Sequence, residues 1–150
     1  MAGEFYSSHS RFCYNRFMNW EELESEVDSL AKKINLDPDI IVGIVRGGII
    51  PARLLSNKFN VKEMYCLTVR KVGDRRLVTT EIKEDIQGKK ALLVEDMLET
   101  GRSLIAARQY LEVKGAIVKT ACLYTMPISE IKVDYSLKEI NEDVSFPWEK

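Results

Sequence analysis

Residues 91–104 read ALLVEDMLETGRSL. Ala91 to Val94 form a short, unbroken apolar run of the kind a strand shows when both of its faces are buried. That strand delivers two adjacent carboxylates, Glu95 and Asp96, to its end, and a glycine turn leads into the helical run LIAARQYLEV. Backbone N–H groups of Thr100, Gly101, Arg102 and Ser103, with the hydroxyls of Thr100 and Ser103, can surround a phosphate at the positive end of that helix. Carboxylates one step from a phosphate nest repel a polyanion unless they accept hydrogen bonds from hydroxyl groups or hold a divalent cation. A phosphate beside a diol describes a ribose 5-phosphate.

The flanking sequence repeats the strand, loop, helix order. Trp20, Leu23, Val27, Leu30 and Ile34 recur at spacings of three and four, which predicts an amphipathic helix that Asn19 and Glu22 open with a capping box. IIVGIV from Ile40 predicts a buried central strand, and RGG then leads into IIPARLLSNKF, a helix with Pro51 in its first turn and Ile50, Leu54, Leu55 and Phe59 available to bury. MYCLTV and LVTTEI are expected to pair as a hairpin around a mobile RKVGDRR tip. Gly115 should cap the helix after the glycine turn, AIVKTACLYT is expected as a strand, and Pro147 keeps the VSFPWEK tail out of any central strand. Strands alternating with helices imply a mainly parallel sheet covered on both faces, with ligands at the carboxyl ends of its strands. Gly43 to Gly48 has P-loop spacing, but Ile49 and Ile50 stand where Lys and Ser or Thr are needed, and no GxGxxG occurs. An ordinary nucleoside triphosphatase or dehydrogenase is thereby disfavoured.

Composition narrows the class further. With 150 residues, 45% hydrophobic and 30% charged, the chain is expected to be one globular domain over residues 17–150, after an extension over 1–16 expected to be disordered. Lys and Arg total 22 against 23 Asp and Glu, so no global positive field recruits nucleic acid. The three cysteines, Cys13, Cys66 and Cys122, form no CxxC pair, and Cys66 and Cys122 are expected as buried, inert thiols in a reduced cytoplasm. A lone histidine, His9, disfavours a His-based zinc site or a Ser-His-Asp triad. No apolar run approaches the roughly 18 residues of a membrane span.

ALLVEDMLETGRSL resembles the signature of the type I phosphoribosyltransferases for phosphoribosyl pyrophosphate: four apolar residues, two acids, two apolar residues, then Asp-Thr-Gly-x-Thr or Ser. From about Phe17 to the C-terminus the chain is similar to the small purine members of the xanthine-guanine and archaeal type, with VRGGIIPARLL like their pyrophosphate loop and FPWE like their tail. The resemblance implies their α/β fold: a mainly parallel central sheet flanked by helices, a small hood and a flexible hairpin loop. It implies transfer of phosphoribosyl from phosphoribosyl pyrophosphate to a nucleobase, purine or purine-like, with release of pyrophosphate. Mg2+ is the implied cofactor, with Glu95 and Asp96 contacting it mainly through substrate, in a cytoplasmic homo-oligomer that uses neither nucleic acid nor membrane. Glu95 and Asp96 would meet the ribose hydroxyls, while Glu99, Thr100, Gly101, Arg102 and Ser103 would form the loop under the 5-phosphate. Arg46, Gly47 and Gly48 would hold pyrophosphate, with Glu99 and Arg46 catalytic and Arg70, Arg75 and Arg76 on the closing loop.

Three positions depart from the family pattern. Glu99 replaces the usual Asp, Met126 stands where relatives that use purines carry Lys, and Asp143 stands where they carry a stacking aromatic. Met126, Asp143 and Val144 are the expected base-side residues. The alternative expectation is a regulatory protein that binds the sugar phosphate or a nucleotide without efficient transfer.

Overall fold

In the computed structural model, residues 16–149 are described; His9, Cys13 and all of the expected N-terminal extension except Arg16 lie outside them. The chain order is β1 (Arg16–Phe17), α1 (Trp20–Lys33), β2 (Ile40–Val45), α2 (Ile49–Lys58), β3 (Met64–Val72), β4 (Arg75–Val78), β5 (Lys90–Leu98), α3 (Arg102–Val113), β6 (Ile117–Thr125), β7 (Tyr135–Glu139), β8 (Val144–Ser145) and a 3₁₀ turn, Pro147–Glu149. Six strands form one sheet in the order β4-β3-β2-β5-β6-β7, and β1 pairs with β8 in a separate two-stranded sheet. All pairings of the large sheet are parallel except the β3–β4 hairpin. β2 and β5 are adjacent at its centre, so their carboxyl ends open side by side.

Side chains alternate across the sheet and build two cores. Ile40, Val42, Ala91 and Leu93 face Leu104, Ala107 and Leu111 of α3. Ile41, Leu92 and Val94 face Leu23, Val27 and Leu30 of α1 and Leu55 of α2. α1 begins as its sequence indicates: the Asn19 side chain accepts from the Glu22 N–H at 2.8 Å, and Glu22 Oε2 accepts from the Asn19 N–H at 3.0 Å. In α2 the fully buried positions are Pro51, Ala52, Leu55 and Ser56, whereas Ile50, Leu54 and Phe59 are only partly buried. The wider apolar face follows from α2 lying over the β2–β5 seam on one side and against α1 on the other.

Several expectations change. β3 runs through Arg70, Lys71 and Val72, and Arg75 and Arg76 belong to β4, so the hairpin tip shrinks to Gly73 and Asp74. Pairing stops at Val78, after which the Thr79 N–H bonds the Thr68 carbonyl and the Thr80 hydroxyl accepts from the Thr68 N–H. Cys66 is exposed rather than buried, because β3 presents it on the α2 face while α2 covers β2 and β5. Cys122 is buried as expected, and burial with the Glu95 and Asp96 charges nearby pushes its thiol far up. β7 was not anticipated. It joins the sheet through Asp134, whose carboxylate accepts from the Thr120 N–H and hydroxyl, and Lys33 of α1 donates to the Ser136 and Leu137 carbonyls along this edge strand.

Candidate active site

The two glycine loops meet at the carboxyl ends of β2 and β5. β5 continues to Leu98, so Glu95 and Asp96 sit within the strand and not at its tip. Asp96 comes so close to the loop after β2 that a Cβ on Gly47 would lie 2.0 Å from Asp96 Oδ2. Any side chain at position 47 would push the Asp96 carboxylate from its place. The loop carries a cis peptide bond between Val45 and Arg46 and leads into α2, whose N-cap, Gly48, supplies no side-chain cap.

On the β5 side, Gly101 is the N-cap of α3 with φ +79°, and again no side chain caps the helix. A Cβ on Gly101 would lie 2.4 Å from Ile131 Cγ2, so the turn is pressed against the segment after β6. Arg102 pairs with Glu130 at 2.8 Å, and the Glu130 N–H donates to the Thr100 carbonyl. The start of α3 is thus an open helix N-terminus beside the acidic pair, an arrangement that favours an anion there and a cation or hydroxyl groups at the carboxylates; at the start of α2 the Ile49 N–H bonds the Arg46 carbonyl and Pro51 has no N–H.

The acidic pair is half-buried. Glu95 Oε1 accepts from the Asp96 N–H at 3.1 Å, and Asp96 Oδ1 accepts from the Met97 N–H at 2.6 Å. Burial, with the Asp96 charge adding to it, holds the Glu95 carboxyl well above the usual carboxylate range. Burial raises Asp96 as well, and the Glu149 charge contributes. Among the described residues no group of three or more His, Cys, Asp or Glu side chains could hold a metal ion. Two carboxylates suit a hard divalent cation whose remaining coordination comes from water and a bound phosphate compound.

A cavity of about 310 Å³ contains Arg76, Glu95, Asp96, Glu99, Thr100, Gly101, Arg102, Ser103 and Val144. An adjoining cavity of about 740 Å³ contains Arg46, Gly47, Ile49, Ile50 and Trp148, and both share Asp96 and Glu149. Most of the expected residues are therefore brought together. Gly48 lies behind the loop, where its added Cβ would strike the Val94 carbonyl. Arg75 lies with Arg76 and Arg102 in a cleft between the hairpin and α3, and Arg70 lines neither cavity. Met126 lines a different cavity, beside Ser129 and Ile131, and Asp143 is exposed. The sequence reading did not single out Glu149. Its Oε2 accepts from the Phe146 N–H at 2.8 Å, which folds the tail back toward Asp96, and its only sequence signal was its place at the end of FPWE.

Comparison with known proteins agrees with this geometry. Residues 14–150 match the family described as phosphoribosyl transferase domain. The chain is similar to xanthine-guanine phosphoribosyltransferase of Chromohalobacter salexigens, 29% identical, with 88% of this chain and 82% of that protein covered. It is also similar to hypoxanthine-guanine phosphoribosyltransferase of Aquifex aeolicus, 26% identical, with 83% and 76% covered. Among solved structures it superposes on purine phosphoribosyltransferase of Pyrococcus horikoshii with a TM-score of 0.83 and 29% identity, covering 91% of this chain and 94% of that one.

Proposed function

The chain belongs to the phosphoribosyl transferase domain family, and from that premise we propose that it transfers a 5-phosphoribosyl group from phosphoribosyl pyrophosphate to a purine or purine-like base in nucleobase salvage. The carrying observation is the convergence of the Glu95–Asp96 pair, the open start of α3 and the Arg46–Gly47 loop around adjoining cavities. In this reading the α3 N-terminus with Thr100 and Ser103 holds the 5-phosphate, and Glu95 and Asp96 accept hydrogen bonds from the ribose hydroxyls. Arg46 and the Gly47 backbone take the pyrophosphate, while the Gly48 N–H is already bonded to the Ile44 carbonyl. Glu95 and Asp96, together with the bound substrate, would hold magnesium, which when bound would supply charge stabilisation to the leaving group. Glu99, exposed at the rim of the smaller cavity, is placed to accept the proton of the incoming ring nitrogen. Arg76 reaches the same cavity from β4 and helps exclude water.

Val144 is the base-side residue best supported. The Arg16 N–H bonds the Asp143 carbonyl and the Met18 N–H bonds the Ser145 carbonyl, so in a parallel ladder the backbone N–H and C=O of Val144 point away from β1. They offer a base edge one donor and one acceptor. Met126 and the exposed Asp143 add neither a charged donor nor a stacking face to this cavity, so discrimination among bases falls to that backbone pair. The protein acts in the cytoplasm as a homo-oligomer on small molecules; among the described residues no helix is long and apolar enough to cross a membrane.

The test is pyrophosphate release from magnesium phosphoribosyl pyrophosphate with hypoxanthine, guanine, xanthine, adenine, uracil or orotate supplied singly. Release with a purine is expected. Release with uracil or orotate alone would overturn the purine assignment, and bound sugar phosphate without release would favour the regulatory reading.

A further inference from the structure

Arg102 faces two ways. It opens α3 at the sugar loop and lines the smaller cavity, and it also lines the cleft of about 310 Å³ between the hairpin and α3, as does Arg76. Two carboxylates line that cleft and not the sugar cavity: Glu130, from the segment after β6, and Asp74, at the hairpin tip. Glu130 Oε1 accepts from Arg102 Nε at 2.9 Å and lies 2.8 Å from Nη2. The Glu130 N–H donates to the Thr100 carbonyl at 2.8 Å, so this residue is fixed to the sugar loop by backbone as well as side chain. The Glu130 bond and charge hold the Arg102 guanidinium above its usual range, and the Asp74 charge adds to them. A lone exposed ion pair contributes little, but here one guanidinium stands between carboxylates from two separate segments, and networks of this kind are where such pairs count.

We propose that Arg102 is a positioning residue that ties the hairpin to the sugar loop: Glu130 fixes its guanidinium at the edge of the cleft, Asp74 docks on it, and the docked tip keeps Arg76 over the sugar cavity. Asp74 and Glu130 touch no substrate and act through Arg102. The effect on turnover rests on the transfer reaction proposed above, in which Arg76 helps exclude water. When the tip lifts, water reaches C1 of the bound donor. The C1–O bond to pyrophosphate breaks, the water oxygen bonds C1 and its proton passes to solvent, which gives ribose 5-phosphate and pyrophosphate without a base.

Limited trypsin digestion of the full chain reads the tie directly, since Arg75 and Arg76 are cleavage sites on the hairpin. Asp74→Asn and Glu130→Gln should each speed cleavage there about two- to fivefold, the scale of a lost exposed ion pair, with Tm unchanged. Glu130→Gln is remote in sequence from the cut, and Asp74→Glu, which keeps an acid beside it, should restore protection. The double variant should be cut no faster than the faster single one, because both act through one guanidinium. High salt should bring the wild type to the level of the variants. In kinetics the same variants should raise KM for phosphoribosyl pyrophosphate, and pyrophosphate release without base, by a similar factor while kcat is kept. Equal cleavage of wild type and variants, additive effects in the double variant, or a difference that survives high salt would each overturn the tie. A wild-type chain that transfers to no base would overturn the proposed function, and the digestion would still decide the tie.

Discussion

At the scale of single residues, the duties proposed for the acidic pair and for Glu99 differ and should fail differently. Asp96→Asn removes a charged acceptor from the proposed ribose site, an interaction worth about 1.5–3 kcal/mol, so the Kd for phosphoribosyl pyrophosphate should rise by roughly 10- to 100-fold. Glu99→Gln should keep that Kd and lower kcat by about 10²-fold or more, the usual scale for a lost general base; binding titrations beside steady-state kinetics separate the two. Glu95 also sets a stability trend. Its carboxyl is raised in the folded protein, so the native state binds more protons than the unfolded one between the ordinary and the raised value. Its favourable contribution is full below about pH 4.5 and is lost as pH rises through the raised folded value. Glu95→Gln should therefore raise Tm at pH 8 more than at pH 4, by about 2–4 °C for each kcal/mol relieved in a chain of this size, as read by thermal melts of the unliganded protein. This is stability given up at a site that needs charge. The side-chain chemistry of Glu95, Asp96 and the Thr100–Ser103 loop was legible because all of it lies in one continuous stretch. Glu149 and Trp148 were not, since only the folding back of the tail brings them to Asp96.

At the scale of elements, the glycine turns decide whether the loops can approach what they serve. Gly101→Ala would force a Cβ into a left-handed backbone and against Ile131, costing about 1–3 kcal/mol. Denaturant titration should show that loss together with weakened sugar-phosphate binding, because the start of α3 cannot keep its place. Asn19→Ala offers the contrast. It removes the side-chain half of the capping box, the bond accepted from the Glu22 N–H, and keeps the backbone N–H that donates to Glu22, with a cost of about 1 kcal/mol; turnover at 25 °C should be unchanged because α1 contributes no side chain to the sugar loop. Helix starts and buried strands were legible through capping residues and apolar runs. β7 was hidden because Tyr135-Ser136-Leu137-Lys138-Glu139 is short and half polar, and its place depends on the Asp134 bonds to Thr120 and on Lys33, more than a hundred residues earlier by the count to Leu137. The extent of the β3–β4 hairpin was hidden for a similar reason: a charged stretch reads as loop until its partner strand is known.

At the scale of the whole molecule, the edges of the six-stranded sheet differ. β4 at one edge carries Arg75 and Arg76, which discourage pairing with another strand. At the other edge Lys33 occupies two carbonyls of β7. Lys33→Ala should leave the fold and turnover intact and increase aggregation on heating, as followed by light scattering, because it removes a positive charge held against the edge strand. Fold class was readable at this scale because alternating strands and helices admit few arrangements, whereas the separate β1–β8 pairing was not, since two residues carry no periodicity. That small sheet has a further consequence. The proposed sugar side of the site is rooted in β2 and β5 at the centre of the large sheet, while Val144 hangs on a two-residue ladder outside it. Val144 itself packs into the α1-side core, but Asn141, Glu142 and Asp143 just before it are exposed, so substitutions there can accumulate without disturbing the core, and descendants of such a chain can drift from one base to another while inheriting the same sugar-phosphate grip.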